Sequence, residues 1–289
     1  MQKRHTDRLL YFNEQSESTR KYVLPYIFEN MPTKRHCGIY PDKSGRAPQS
    51  PNSQEILKQV QNDGRRRVLE IGCGEGGNLL PFLELGCECY GIELTENSYN
   101  NAVDFYAENP LKENLHLLNK NIYDVAPAEL NGTFDIVFLR DVIEHIPNQE
   151  RLLRHLKQFL APQGVVFIAF PPWRMPFGGH QQMSRSKWVS RCPYVHLLPT
   201  AVLRMFGVSK RDINALKTLS ETGISISRFE KMLRAENYKI RQKTHYFINP
   251  NYEIKFGLKP RELYRMLKIP HLQDFYTSAV YYLVKSEKR

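Results

Sequence analysis

Residues 72–77 read Gly-Cys-Gly-Glu-Gly-Gly, directly after an apolar run at 68–71, and Glu93 stands 21 positions after Gly72 at the end of a second apolar run. Glycines allow positive φ and let a ligand approach the backbone closely. A helix over residues 76–85 would set its free N–H groups and its dipole beside that ligand. An acidic residue at the spacing of Glu93 can accept hydrogen bonds from both hydroxyls of a ribose. Loop, strand context and carboxylate together point to an adenosine-containing cofactor, NAD or S-adenosylmethionine.

Three features favour S-adenosylmethionine. Glu70 places a carboxylate at the strand end, suited to an ammonium and a sulfonium and poor beside a pyrophosphate. Residues 68–170 carry a balance of −9, against +6 before them and +14 after, within a chain of net charge +11. The last two strand-like runs, 238–248 and 277–284, fit a seven-stranded sheet that ends in an antiparallel hairpin.

The segment VLEIGCGEGGNLL resembles motif I of the class I S-adenosylmethionine-dependent methyltransferases. YGIEL, FDIVFLRDVIEHIP and APQGVVFIAFPP resemble the segments that follow in that family. The match spans residues 53–170 and, more loosely, 225–286, and is broadly similar to the subgroup of ubiquinone-biosynthesis O-methyltransferases. The resemblance implies that Glu70, Gly72, Cys73, Gly74 and Gly76 line the methionine and sugar, and that Glu93 holds the ribose. It implies that Leu94 packs on the adenine, with Asn121 and Ile122 at the adenine amino group. Arg140 and Asp141 would stand at the methionine end.

These residues need a frame to position them. Apolar runs at 68–71, 89–94, 115–118, 134–139 and 165–170 read as strands. Helices over 76–85, 95–107 and 148–160 separate them. That βα alternation predicts an α/β fold with a doubly wound, mostly parallel seven-stranded sheet of Rossmann-like type. Residues 1–52 read as a helical extension (7–30) and a Pro/Gly-rich linker, and 53–289 as the methyltransferase domain, whose first helix runs from Ser53 to about residue 62. Residues 171–224 and 249–273 read as insertions on the acceptor side.

Ligands of open α/β sheets bind beyond the carboxyl ends of the strands, so the segments after strands four and five should meet the acceptor. His180, after Gly178 and Gly179, reads as a general base or acceptor-orienting residue, with His145 and Asp141 as further catalytic candidates. Trp173 and Phe177 offer flat apolar faces, Arg174, Arg185, Lys187 and Arg191 offer charge, and Tyr194 and His196 are weaker candidates. A base is required only where the nucleophile carries a proton. No metal is expected, because Asp141 alone makes no site.

The expected activity is methyl transfer, chiefly O-methylation, with S-adenosyl-L-homocysteine as product. The expected acceptor is a small molecule or a lipid-linked compound, anionic or met near an anionic membrane surface. An RNA methyltransferase ranks lower: Pro171-Pro172-Trp173 follows strand five and lacks the Asp or Asn of an amino-methylating motif. A non-catalytic cofactor-binding protein and an NAD-dependent dehydrogenase are further alternatives. An odd number of cysteines, an N-terminus without an apolar core and no run of membrane length lead to the expectation of a soluble, cytoplasmic protein. Oligomeric state is not legible.

Overall fold

The computed structural model describes residues 7–31, 65–178 and 187–287. The helix expected from Ser53, and His180 and Arg185, lie outside the described residues. The chain divides into two compact units. One comprises Gln2–Phe138 and Gln158–Phe167, the other Leu139–Lys157 and Ile168–Arg289 with Met1.

In the first unit, β1 (Arg67–Ile71) pairs in parallel with β2 (Glu88–Glu93) and β4 (Phe134–Arg140), and β2 pairs with β3 (Leu115–Asn119). Strands β1, β2 and β4 are buried along most of their length, as a sheet covered on both faces requires, while β3 is half-buried at the sheet edge. Val68, Leu69, Ile136 and Val137 are fully buried. Strand β5 (Leu160–Phe170) begins five residues earlier than the sequence suggests and runs through Pro162 and Gly164. Pro162 and Gln163 are exposed, so the proline's missing N–H leaves no buried acceptor unpaired.

Helix α1 (Arg8–Ser18) is capped by the Asp7 carboxylate and passes through a π-helical turn (Thr19–Val23) into α2 (Leu24–Asn30). The helix expected at 76–85 is regular only as α3 (Leu80–Glu84). Gly76 and Gly77 would each cost about 1 kcal/mol inside a helix, whereas Pro81 suits a first turn. Residues 76–79 therefore form turns, and the glycine loop does not open directly onto a helix. Helix α4 (Glu96–Tyr106) follows β2. Thr95 stands at its N-cap, and its hydroxyl makes no cap bond.

In the second unit, α5 (Gln149–Leu156) is capped by Asn148, whose side chain accepts from the Arg151 amide. Residues 171–224, read from the sequence as an insertion, hold α6 (Lys187–Arg191), α7 (Thr200–Met205) and α8 (Lys210–Thr222). Val189, Val195, Leu203, Val208, Ile213 and Leu216 give it a small core of its own. Helix α9 (Ile226–Ala235) precedes β6 (Tyr238–Ile248), which pairs antiparallel with the final strand β8 (Ala279–Ser286). A two-residue strand, β7 (Arg261–Glu262), adds to β6, with α10 (Asn251–Phe256) and α11 (Gln273–Tyr276) on either side of it in sequence.

The sheet order is β3-β2-β1-β4-β5-β8-β6-β7. The mostly parallel, doubly wound architecture is as expected. The count is eight rather than seven, because two residues of the second insertion pair with β6.

Candidate functional site

The order reverses between β1 and β4, which puts the ligand crevice of such a sheet at the carboxyl end of β1. There the chain bends back through the glycine loop. Gly72 and Cys73 both donate backbone N–H to the Ile92 carbonyl, at 2.8 and 3.2 Å, which ties the loop to β2. Gly74 has φ of 54°, a conformation that side chains resist. A Cβ added there would meet nothing within 4 Å, so the loop is open on that side.

Glu93 locks the loop to the end of β2. One carboxylate oxygen accepts the Gly74 amide at 2.8 Å, and the other accepts the Thr95 amide at 2.7 Å. Leu94 beside it is 67% exposed, an apolar face held next to a fixed carboxylate. Asn119 steadies this corner by donating to the Glu93 and Leu94 carbonyls.

Behind the loop, Glu70 is buried and accepts from Asn78 Nδ2 at 2.7 Å. Asn78 Oδ1 in turn accepts from Thr19 Oγ1 at 2.7 Å, in the π-helical turn. Helix α1 is pinned across the same loop. Arg8 pairs with the fully buried Glu75, and Ser16 donates to the Gly77 carbonyl at 2.7 Å. Phe12 packs edge-on against Phe105 and Tyr106, and Tyr106 donates to the Gly76 carbonyl at 2.9 Å. A side chain at Gly77 would strike the Phe12 carbonyl, 2.5 Å from the Cβ position.

Cys73 is buried, and desolvation followed by the charges of Glu70 and Glu93 pushes its thiol well above the ordinary range. It is a packing group rather than a nucleophile. Asn121 caps a single 3-10 turn: its side-chain oxygen accepts the Tyr123 amide at 3.0 Å, while Ile122 is buried. That oxygen is therefore already engaged in a local bond.

In the second unit, β4 ends at buried Arg140, and Asp141 adopts φ of 55° with its amide donated to the Ala169 carbonyl at 2.9 Å. Strain of this kind collects at functional sites. A 3-10 turn then places Glu144 and His145 at a small pocket lined also by Pro171, Trp173, Leu219 and Ile224. The Glu144 carboxyl is 93% buried, with Oε1 at 3.8 Å from His145 Nε2, too far for a hydrogen bond. No other residue among those described donates to its oxygens within hydrogen-bond distance, and its own backbone amide opposes the rise in its pKa. Burial, then the charge of Asp141, raises its carboxyl well above the usual carboxylate range. Burial lowers His145, with Asp141 opposing.

A family profile described as "Methyltransferase domain" matches residues 46–200, more than half of the chain. The chain belongs to the methyltransferase-domain family. It is similar to a protein named ubiquinone biosynthesis O-methyltransferase from Bartonella tribocorum, at 27% identity over 164 residues, covering 55% of this chain and 63% of the relative. A protein of the same name from Caulobacter vibrioides is 29% identical over 123 residues, covering 40% and 48%. The chain spans about half the length of the curated relatives it matches. An S-adenosylmethionine-dependent methyltransferase structure from Clostridium acetobutylicum aligns over 81% of this chain and 89% of its own, with 12% identity and a TM-score of 0.49.

Within this methyltransferase domain, the first unit brings together Glu70, Gly72, Cys73, Gly74, Gly76, Glu93 and Leu94 around one loop. The second places Asp141, His145 and Trp173 near one another. His196 and Tyr194 serve as struts. His196 Nε2–H donates to the Trp173 carbonyl at 2.7 Å, and the Tyr194 hydroxyl donates to the Phe275 carbonyl at 2.8 Å. Sequence reasoning missed Glu144, Asn78 and Thr19. Glu144 stood in view inside the segment LRDVIEHIP, but the neighbouring histidine drew the assignment. Among the described residues, no group of three or more His, Cys, Asp or Glu could hold a metal ion.

Proposed function

We propose that this protein is an S-adenosylmethionine-dependent methyltransferase that methylates a hydroxyl of a small-molecule or lipid-linked acceptor. The observation that carries the reading is the Glu93 carboxylate, fixed by the Gly74 and Thr95 amides beside exposed Leu94, within a family-matched domain. The residues fit the cofactor. Open space beside Gly74 admits a ligand at the backbone, and Glu70 and Glu93 set negative charge where a cation is to be held. When bound, S-adenosylmethionine supplies an electrophilic methyl group on a sulfonium. The chain's work is positioning: Glu93 takes the ribose hydroxyls, Leu94 covers the adenine, and the Thr19–Asn78–Glu70 relay holds the carboxylate meant for the ammonium. Arg140 and Asp141 are assigned to the methionine end, and Asn121 and Ile122 to the adenine, on resemblance. Names such as ubiquinone biosynthesis O-methyltransferase and tocopherol O-methyltransferase among the relatives support an oxygen acceptor on a small molecule.

Calorimetry with S-adenosylhomocysteine and NAD tests the donor; NAD binding alone would remove this reading. The acceptor is sought by incubating protein and S-adenosylmethionine with a metabolite and lipid extract, then looking by mass spectrometry for a gain of one methyl group.

A lipid-linked acceptor has support from Tyr264, Met266, Ile269 and Leu272, all half or more exposed and interspersed with Arg261, Arg265 and Lys268. Apolar side chains amid basic ones suit an anionic membrane surface. The protein is expected to float with phosphatidylglycerol vesicles, and Met266→Glu with Ile269→Glu to reduce the floated fraction several-fold. Wild-type protein that stays at the bottom of the gradient would remove the lipid-linked alternative. No helix among the described residues is long and apolar enough to cross a membrane.

A further inference from the structure

In the second unit, β5 ends at Phe170, and the Trp173 amide donates to the Ile224 carbonyl at 2.9 Å. Residue 224 therefore stands at the carboxyl end of that strand. Helix α9 starts two residues later and, at ten residues, carries the chain about 15 Å back along the sheet. Strand β6 then returns, so the end of β6 lies at the same edge as the end of β5. The Asp141 amide donates to the Ala169 carbonyl at 2.9 Å, which puts Asp141 at that edge too. Asn249 fixes the turn after β6. Its carbonyl accepts the Tyr252 amide at 2.8 Å, and its side-chain oxygen accepts the Asn251 amide at 3.0 Å.

Asp141 and Tyr252 thus come from distant segments to the one edge of the sheet where ligands bind. Neither is engaged there. The Asp141 carboxylate and the Tyr252 hydroxyl form no hydrogen bond or ion pair among the described residues. Asp141 is exposed and held at φ of 55°. Tyr252 is half-buried, with its ring edge-on to Phe256 at 5.5 Å, and Phe256 is half exposed, an apolar face beside the phenol. Burial, then the charge of Asp141, raises the Tyr252 phenol above its ordinary range. It therefore remains a donor at neutral pH, within electrostatic reach of a carboxylate that can only accept. One acceptor and one donor side by side match a single hydroxyl.

We infer that Asp141 and Tyr252 bind the hydroxyl of the acceptor, the carboxylate accepting its O–H and the phenol donating to one of its two lone pairs. Calling that hydroxyl the methyl acceptor rests on the proposed methyl transfer. Its second lone pair is left to form the new O–C bond, and the electron pair of the broken C–S bond stays on sulfur. The hydroxyl proton passes to Asp141 and on to solvent, to which that carboxylate is open. A neutral amine has a single lone pair, so accepting from Tyr252 would consume the pair needed for attack. Tyr252 is in this way a residue that selects oxygen over nitrogen.

The test uses the full chain, Tyr252→Phe and Asp141→Asn. Phenylalanine keeps the ring against Phe256, and asparagine tolerates positive φ, so both variants retain the local fold. Methyl incorporation from labelled S-adenosylmethionine is followed in the metabolite and lipid extract. Tyr252→Phe is expected to lower the rate about tenfold or more while S-adenosylhomocysteine affinity stays within twofold. Asp141→Asn is expected to lower the rate about a hundredfold or more. A wild-type rate in either variant, or a loss in Tyr252→Phe that only tracks weaker S-adenosylhomocysteine binding, overturns the inference. A second readout needs no acceptor. In protein isotope-labelled at the tyrosine Cζ, the Tyr252 resonance, identified by its absence in Tyr252→Phe, should titrate at lower pH in Asp141→Asn. An unchanged midpoint would show that the two groups do not face each other. Wild-type protein that methylates nothing in the extract removes the methyl-transfer reading and this inference with it. Wild type that methylates, matched by Tyr252→Phe, removes this inference alone.

Discussion

Glu93 shows how a single side chain can serve the fold and the ligand at once. Its two oxygens accept the Gly74 and Thr95 amides, and each keeps a further lone pair. Glu93→Ala removes two hydrogen bonds to a charged group, together worth about 3 kcal/mol or more before any ribose contact is counted. It is expected to weaken S-adenosylhomocysteine binding at least tenfold by calorimetry. Gly74→Arg forces a side chain onto a residue with φ of 54° and fills the open side of the loop, so binding should be lost. Wild-type affinity in both variants would contradict this placement of the cofactor. These residues were legible because their chemistry is local: a strand, a glycine turn and a carboxylate at fixed spacing. Glu144 was not, since the burial of a charged side chain is set by neighbours that local spacing does not record.

At the scale of elements, the N-terminal extension belongs to the cofactor side. Helix α1 and the π-helical turn reach the glycine loop through Arg8, Ser16 and Thr19. The sequence displayed this helix and its apolar positions but not what those positions cover. That depends on the match of Phe12 to Phe105 and Tyr106, about 90 positions on. Thr19→Val keeps the shape of the side chain and leaves the Asn78 oxygen buried without its donor. The expected cost is about 1–3 kcal/mol of stability by denaturant unfolding, with weaker S-adenosylhomocysteine binding as Glu70 loses its brace. Thr19→Ser, which restores the hydroxyl, should recover most of the affinity; equal affinity in Thr19→Val and wild type would show that the relay does not reach the site. Strand existence was readable nearly throughout, whereas α3 was overextended because two glycines outweighed the apolar pattern. Helix α8 was overlooked although Ser209 caps it, with Ile213 and Leu216 at helical spacing.

At the scale of the whole molecule, net charge and buried titratable groups set the response to pH. His245 in β6 is buried, and burial, then Lys243 and Lys268, hold its pKa down at about 4 from 6.5. The unfolded chain therefore binds more protons than the folded one between those values, and stability falls as pH drops through that window. The contribution is about 3 kcal/mol, present above pH 6.5 and gone below pH 4. Urea unfolding of wild type and His245→Leu across pH 4–7 should show a shallower acid fall in the variant. Parallel curves would mean that His245 is not held neutral by the fold. Glu144 acts in the opposite sense, since a raised carboxyl favours the folded state at lower pH, so the single variant isolates the histidine.

The sequence by itself determined the α/β architecture, the parallel order of its first strands and the glycine loop with Glu93. Periodicity and short-range spacing encode all of these. Only the tertiary structure decided that α1 closes on the loop, that a two-residue strand makes the sheet eight-stranded, and that Glu144 is buried. Burial and hydrogen-bond satisfaction are properties of neighbours brought together from distant parts of the chain, and spacing along the sequence does not record them.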